Sequence, residues 1–206
     1  MKRMNNYRRK YIPIVTIVLI MINVLVYLAE TAAGGSMNTA VAVRFGALYT
    51  PYVIERGEWW RLFTSMFVHF GLSHIASNML SLYVLGNTVE AYYGRVRFLI
   101  LYLVSGLGGS ILTILIDLQS TEFALNAGAS GAIFGIMSAF VVFAVNPATR
   151  KIFPIRRVIA GIFFALLPGF YTSGISVTAH IGGFVTGLIL AFILDPHHSR
   201  RIRSQL

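Results

Sequence analysis

Apolar residues along this chain gather into six uncharged runs, at about 11–28, 73–89, 98–116, 124–145, 158–171 and 174–194, and nearly all the charge falls between them. Most of the runs approach the roughly 20 residues an α-helix needs to cross the hydrocarbon core of a bilayer. The pattern predicts an all-α membrane protein with six transmembrane helices. The run at 158–171 is short for a span, and a start near Ile152, with Arg156 and Arg157 snorkelling to the surface, would lengthen it. The first run follows Lys2, Arg3, Arg8, Arg9 and Lys10, as in a secretory signal peptide. Its length and the further runs make it the first of several spans instead. Between the first two runs, the segment at about 30–72 holds Gly34, Gly35, three arginines, Glu55, Glu58 and Trp59–Trp60. A connection of that length is expected to have structure of its own and to lie at the outer membrane surface, its aromatics at the headgroup level.

Composition agrees with this reading. Of the 206 residues, 56% are hydrophobic and 12% charged, which excludes an ordinary soluble domain. The net charge of +10 would suit nucleic acid binding if it formed one patch. It is instead divided among four clusters, Lys2 to Lys10, Arg95 with Arg97, Arg150 to Arg157, and Arg200 to Arg203. The positive-inside rule makes those clusters cytoplasmic. Six crossings satisfy all four and put the N- and C-termini both in the cytoplasm. The expected organisation is a basic tail at 1–10, a single six-helix domain at 11–195 and a second basic tail at 196–206. The chain has no cysteine, so disulfides, thiolate nucleophiles and Cys-ligated zinc are excluded.

In this topology the second, fourth and sixth helices all run inward from the outer surface, so residues early in each share one depth. His74, Ser130 and His180 are such residues, with Ser130 and His180 roughly 9 Å down at six residues past the start of their runs. Asn78 lies one turn below His74 on the same face. A lone serine in a membrane helix usually bonds its neighbours across a helix interface. A histidine within a span is rarer and points to function, and Ser130 is the natural partner of His180. Gly131 with Gly135 and Gly183 with Gly187 form two GxxxG patterns that allow close helix approach. The GxSxG elbow of soluble hydrolases is absent, since Ala132 stands where its second glycine would be. No HExxH is present, and His69 and His74 are off a common helical face, so no metal and no cofactor is expected. None of Glu30, Glu55, Glu58, Glu90, Asp117, Glu122 and Asp195 is predicted at the depth of His180. The inference is a Ser130–His180 dyad.

These residues resemble the rhomboid family of intramembrane serine proteases, over nearly the whole stretch from Trp60 to Gly187. The family's GxSG matches Gly128, Ser130 and Gly131, and its AHxxGxxxG matches Ala179, His180, Gly183 and Gly187. Its WR pair matches Trp60 and Arg61, its HxxxN matches His74 and Asn78, its upstream histidine matches His69, and its GxxxE matches Gly86 and Glu90. The resemblance implies Ser130 as nucleophile, His180 as general base, and an oxyanion hole from His74, Asn78 and the N–H of Ser130. It implies structural roles for the WR and GxxxE residues, with lipid headgroup binding as the alternative for Arg61, and a role for His69 in holding water or ordering the outer loop. Some rhomboids carry a tyrosine four residues after the nucleophile; Phe134 stands here and keeps only the stacking.

The expected function is therefore an endopeptidase that cleaves single-span membrane proteins within or near the outer end of their transmembrane segment, through an acyl-enzyme. Its partners would be transmembrane-helix substrates and the bilayer, with no nucleic acid. Hydrolysis needs water, so a cavity lined by Gly71, Ser73, Ser130, Thr178 and two histidines is expected to open outward. The fifth helix and the loop 169–174, with Phe163, Phe164, Phe170 and Tyr171, form the candidate lateral gate. The competing readings are a catalytically inactive rhomboid-like protein that captures clients, and a proton-relaying transporter. The first would usually lack the serine or the histidine, and the second lacks an intramembrane carboxylate. The absence of a transit peptide or extra domain favours a multi-pass protein of a prokaryotic plasma membrane.

Overall fold

The apolar runs fold as helices, and the polar punctuation between them decides where each one starts. Residues 11–167 and 176–196 are described by the structure, a computed structural model. Among them nine helices follow in order: α1 (Ile14–Ala32), α2 (Thr39–Phe45), α3 (Thr50–Arg56), α4 (Arg61–Thr64), α5 (Leu72–Tyr93), α6 (Arg95–Asp117), α7 (Ser130–Val145), α8 (Ile155–Leu166) and α9 (Val177–Ile193). Six of these coincide with the six apolar runs. Of the six, α1 at 19 residues and α6 at 23 are each long and apolar enough to cross a membrane by length and composition alone. The segment between α1 and α5 does have its own structure, as the three short helices α2, α3 and α4.

One helix starts well inside its apolar run, and another starts between the two positions the sequence offered. The fourth run was expected to be helical from 124, but α7 begins only at Ser130. Its first six residues use their backbone elsewhere: Asn126 exchanges both backbone hydrogen bonds with Leu48, and the Gly128 N–H donates to the Ser65 carbonyl at 2.9 Å. Gly128 adopts φ +121°, which a helix cannot contain and which favours glycine. The fifth run, 158–171 with a start near Ile152 as the option that would lengthen it, is helical from Ile155, behind Pro154. Proline has no N–H and pushes the residue before it out of the helical region, so 152–154 remain a turn on Thr149. Arg156 and Arg157 then lie in the first turn of α8. The first helix runs past 28 to Ala32, which takes Glu30 out of the outer connection and into α1.

Helix α9 sits against α6 and α7 with almost no side chain between them. A Cβ at Gly183 would strike the backbone of Gly131, and one at Gly187 the backbone of Gly135. On the other side, Gly182 faces the Gly108 carbonyl, and Gly109 faces the carbonyl of Ala179. This three-helix seam replaces bulky knobs with backbone contact, the packing that suits helices gaining little from burial against lipid. The main core, with Leu82, Phe98, Leu101, Tyr102, Ile136 and Phe143, fills the space between α5, α6 and α7.

At the opposite end of the molecule the buried carboxylate of Glu90 caps α1. It accepts from the Val15 N–H at 3.1 Å, the Thr16 N–H at 2.8 Å, the Thr16 hydroxyl at 2.7 Å and the Tyr11 hydroxyl at 3.2 Å. The two amides are among the first N–H groups of α1, which have no partner within their own helix. Gly86, one turn earlier on α5, lets Thr16 and Phe98 approach.

Two stability predictions follow from these contacts. Gly183→Val should unseat α9 and lower the thermal midpoint of the purified chain by at least about 5 °C, given roughly 2–4 °C per kcal/mol in a chain of this size. Gly161→Ala, whose added methyl meets open space, should match or exceed the native midpoint; equal midpoints for native and Gly183→Val would contradict the seam. Glu90→Gln keeps one acceptor oxygen for four donors and should cost about 1–3 kcal/mol for each buried donor abandoned. A native-like denaturation curve for that variant would remove the cap from the account.

Candidate active site

The late start of α7 makes Ser130 its first helical residue, with Ala129 in the preceding cap position. Its N–H, and those of the next residues, precede the first possible i to i−4 bond and are free to serve a ligand. Ser176 caps α9, its hydroxyl accepting from the Ala179 N–H at 3.3 Å, and His180 is that helix's fourth residue. The contact of Gly131 with the Ala179 carbonyl, together with the Gly183–Gly131 approach, brings these two helix starts side by side.

A cavity of about 340 Å³ opens between them, lined by Ser130, His180, His74 and Asn78 among others. All four residues expected in the site therefore share one space. Gly71, Ser73 and Thr178, expected in the lining, are not part of it; Ser65, Ser110, Asn126 and Ser176 supply its polar wall instead. Thr178 turns aside to Thr113 at 3.0 Å. Ser130 Oγ and His180 make no direct hydrogen bond in this structure. Catalytic hydrogen bonds are often long in an unliganded site and tighten only when the substrate is bound.

His180 is buried, and its Nδ1 has no partner among the described residues. Phe134, one turn after Ser130, stacks on its imidazole at 4.2 Å between centroids and 22° between planes. The ring is thus oriented by an aromatic face, and no carboxylate among the described residues hydrogen-bonds it. Across the cavity the Asn78 amide is also buried and its Nδ2 unpartnered. A Cβ on Gly128 would come within 2.8 Å of the His74 ring and 3.6 Å of Asn78 Nδ2. The backbone leading into Ser130 therefore passes directly over these two side chains, and only glycine allows that approach.

His69 stands behind the cavity, fully buried. Its Nδ1 donates to the Phe67 carbonyl at 3.1 Å, which leaves Nε2 to accept from the Ala129 N–H at 3.4 Å. Its own backbone N–H donates to Glu30 at 3.2 Å, and its ring meets that of His74 edge to face at 5.1 Å. The neutral imidazole joins the outer segment to the residue before Ser130. The resemblance offered His69 a role in holding water or ordering the outer loop, and its contact with Glu30, which the sequence placed at the start of that loop, was not foreseen. The contacts of Ser65 with Gly128 and Leu48 with Asn126 were likewise unreadable, because they are made by backbone atoms.

Arg61 is buried rather than available to lipid. Its guanidinium donates to Glu58 and to the carbonyls of Val43 at 2.8 Å and Ala47 at 3.0 Å, and it lies over the Trp60 ring. It ties α4 to α2. Phe163 and Phe164 project from α8, 57% and 66% exposed, and touch each other rather than closing the cavity; Phe170, Tyr171 and the loop 169–174 lie outside the described residues.

Comparison with known proteins agrees with the arrangement. The family model described as "Rhomboid domain" matches residues 56–197. The chain is 37% identical over 186 residues to Rhomboid protease GluP of Bacillus subtilis (strain 168), covering 88% of this chain and 35% of that protein. It is 31% identical over 211 residues to Rhomboid protease AarA of Providencia stuartii, covering 90% and 74%. RHOMBOID-like protein 2 of Arabidopsis thaliana is 35% identical over 165 residues, covering 76% and 49%. The chain thus spans about a third to a half of the length of several of these relatives. With the family model covering most of its length, and Ser130 of the GxSG and His180 of the AHxxGxxxG facing one cavity, the chain belongs to the rhomboid family.

Proposed function

We propose that this chain is an intramembrane serine endopeptidase that cleaves single-span membrane proteins within or near the outer end of their transmembrane segment. The observation that carries this reading is the shared cavity, in which a hydroxyl, an imidazole and an unpartnered amide converge from three helices. His180 takes the proton of Ser130 Oγ as the oxygen attacks the scissile carbonyl. The negative charge that develops on the carbonyl oxygen is met by Asn78 Nδ2, by His74 and by the Ser130 N–H. That N–H belongs to the open start of α7, where the helix dipole also favours an anion. His180 returns the proton to the departing amine, and water then hydrolyses the acyl-enzyme along the same path.

The membrane frame of this reading is a bundle of six spans, α1, α5, α6, α7, α8 and α9, in a cell membrane with both termini cytoplasmic. Helix α7, at 16 residues, is about 24 Å long, short of the roughly 30 Å hydrocarbon core. Its N-terminal end therefore stops below the outer boundary, and residues 124–129 fill the remaining depth as irregular backbone. Such backbone is tolerated in a membrane where it is bonded within the protein or faces water. Its bonds to Leu48 and Ser65 meet that condition, and the cavity beside it gives water a way in.

Purified native chain should cleave a reporter single-span protein, and Ser130→Ala and His180→Ala should each abolish cleavage. A fluorophosphonate should label the native chain and should label His180→Phe poorly or not at all; equal cleavage by all variants would refute the dyad. Asn78→Ala should lower kcat by about 10²–10³ while the fold is retained.

For His69 the expected signature is a pH dependence. Burial, with the His74 ring beside it, holds its pKa down to about 4 from the usual 6.5. Below pH 6.5 the unfolded chain gains a proton that the folded chain refuses, so stability falls as pH drops from 6.5 to about 4, by up to about 1.4 kcal/mol per pH unit. His69→Gln should flatten that slope by close to one proton's worth, and should lower kcat by loosening Ala129. Unchanged slopes in paired denaturation series at pH 7 and pH 5 would rule out the proposed clamp.

A further inference from the structure

A second cavity, of about 330 Å³, lies at the other end of α8, between that helix and the flank formed by α5 and α7. Its lining is apolar, from residues such as Leu85, Met137, Phe140, Phe153 and Ile162, with one charged side chain, Arg157. Among the described residues α8 is anchored mainly near its N-terminal end. Phe153 packs on Phe140 and Phe143 at 5.3 and 5.2 Å, Val158 is the buried residue of α8, and beyond it Gly161 leaves open space where a side chain would stand.

The charges around the groove are unbalanced. Arg157 is exposed, and no carboxylate among the described residues pairs with it. Arg150, Lys151 and Arg156 lie on the same short segment and are exposed as well. The acidic residues of this end are committed: Glu90 accepts four hydrogen bonds from α1 and Tyr11, and Asp195 accepts from Tyr92 at 2.9 Å. An apolar slot that opens beside unpaired arginine and lysine matches an acyl chain joined to a phosphate. A basic pocket between membrane helices on the cytoplasmic side is how anionic lipid headgroups are held, and a guanidinium fork suits phosphate oxygens.

We propose that this groove binds an anionic phospholipid of the cytoplasmic leaflet, with one acyl chain against Phe140, Phe153 and Gly161 and its headgroup phosphate on Arg157. The assignment of leaflet rests on the topology given above. Met137 lines both this groove and the candidate active-site cavity, and Ala165, one turn beyond Gly161 on α8, lines the latter. A bound lipid therefore sets how far α8 stands from α7 beside the place where substrate is cleaved.

The test uses the full chain in phosphatidylcholine nanodiscs carrying a trace of phosphatidylglycerol with a photoactivatable diazirine in one acyl chain, with labelled peptides mapped by mass spectrometry. Labelling is expected at 140, 153 and 161–162, displaced about fivefold more effectively by unlabelled phosphatidylglycerol than by phosphatidylcholine, as one basic side chain at an anionic surface provides. Arg157→Gln should keep the label and lose that preference. Gly161→Leu should fill the slot and lose the label, with both variants first checked for a native denaturation midpoint. Equal displacement by the two lipids in the native chain, an unchanged preference in Arg157→Gln, or displacement by a transmembrane peptide and not by phosphatidylglycerol would each overturn the proposal. The topology is read separately: the chain is free of cysteine, so Lys151→Cys should react with an impermeant maleimide only after cells are opened. Reaction in intact cells would overturn the leaflet assignment whatever the lipid preference, and the protease reading stands or falls on Ser130 alone.

Discussion

Backbone-to-backbone contact between α7 and α9 is the constraint on which the rest of the molecule depends. Two side chains far apart in sequence can share a small cavity only if their helices approach more closely than ordinary side chains permit. Gly131 against Gly183 and Gly135 against Gly187 provide that approach, and Gly108, Gly109 and Gly182 repeat it toward α6. The contact fixes the rotation of α9 as well as its distance. His180 stands three residues before Gly183, on the same face, so the glycine that seats the helix also turns the imidazole toward α7. Phe134 then completes its orientation from the side. In a bundle surrounded by lipid this is an economical arrangement, since helix association there gains from tight packing more than from burial.

The second constraint is a helix that starts late. Had α7 begun at 124, the Ser130 N–H would have been taken up by the carbonyl four residues before it, and the serine would have presented only its hydroxyl. Gly128, with its positive φ, and the hydrogen bonds of Asn126 and Gly128 to the outer segment stop the helix from extending backward. Ser130 thereby gains a free amide and the positive end of a helix dipole. The same loop passes over His74 and Asn78 on α5. One local departure from regular structure thus positions three of the groups the proposed chemistry uses.

Much of this was legible in the sequence, for a physical reason. A bilayer enforces helices of a given length, so the six runs announced themselves by apolarity, and rare polar residues within them pointed to His74, Asn78, Ser130 and His180. What was not legible is what backbone atoms do. Nothing in the composition of 124–129 reveals that Asn126 pairs with Leu48, because a peptide group carries no side-chain signature. The start of α8 falls between 158, where the apolar run begins, and Ile152, because Pro154 bars the helix from reaching further back. Glu30 reads as the start of the outer segment because a carboxylate after an apolar run looks like a boundary, and only the fold shows it inside α1 and buried, bonded to the His69 amide.

The buried charges clarify how such a bundle carries polar chemistry without being dissolved by it. Glu90, Arg61 and Glu30 are each fully or almost fully buried, yet none lines the candidate active-site cavity. Each directs polar atoms at backbone groups that its neighbours leave open: Glu90 at the start of α1, Arg61 at the carbonyls of Val43 and Ala47, and Glu30 one oxygen at the amide of His69. A charged group commits a hydrogen-bond partner more strongly than a neutral one does, which suits it to fixing loops. Inside the cavity stand a hydroxyl, imidazoles and an amide, of which Asn78 Nδ2 and His180 Nδ1 are buried with no partner among the described residues. Charged side chains bonded to backbone hold the frame, and neutral groups with unpaired nitrogens face the space where a substrate would lie. An unpaired donor is a cost in the resting fold that a developing oxyanion relieves, and that difference between the two states is what catalysis by such a site would consist of.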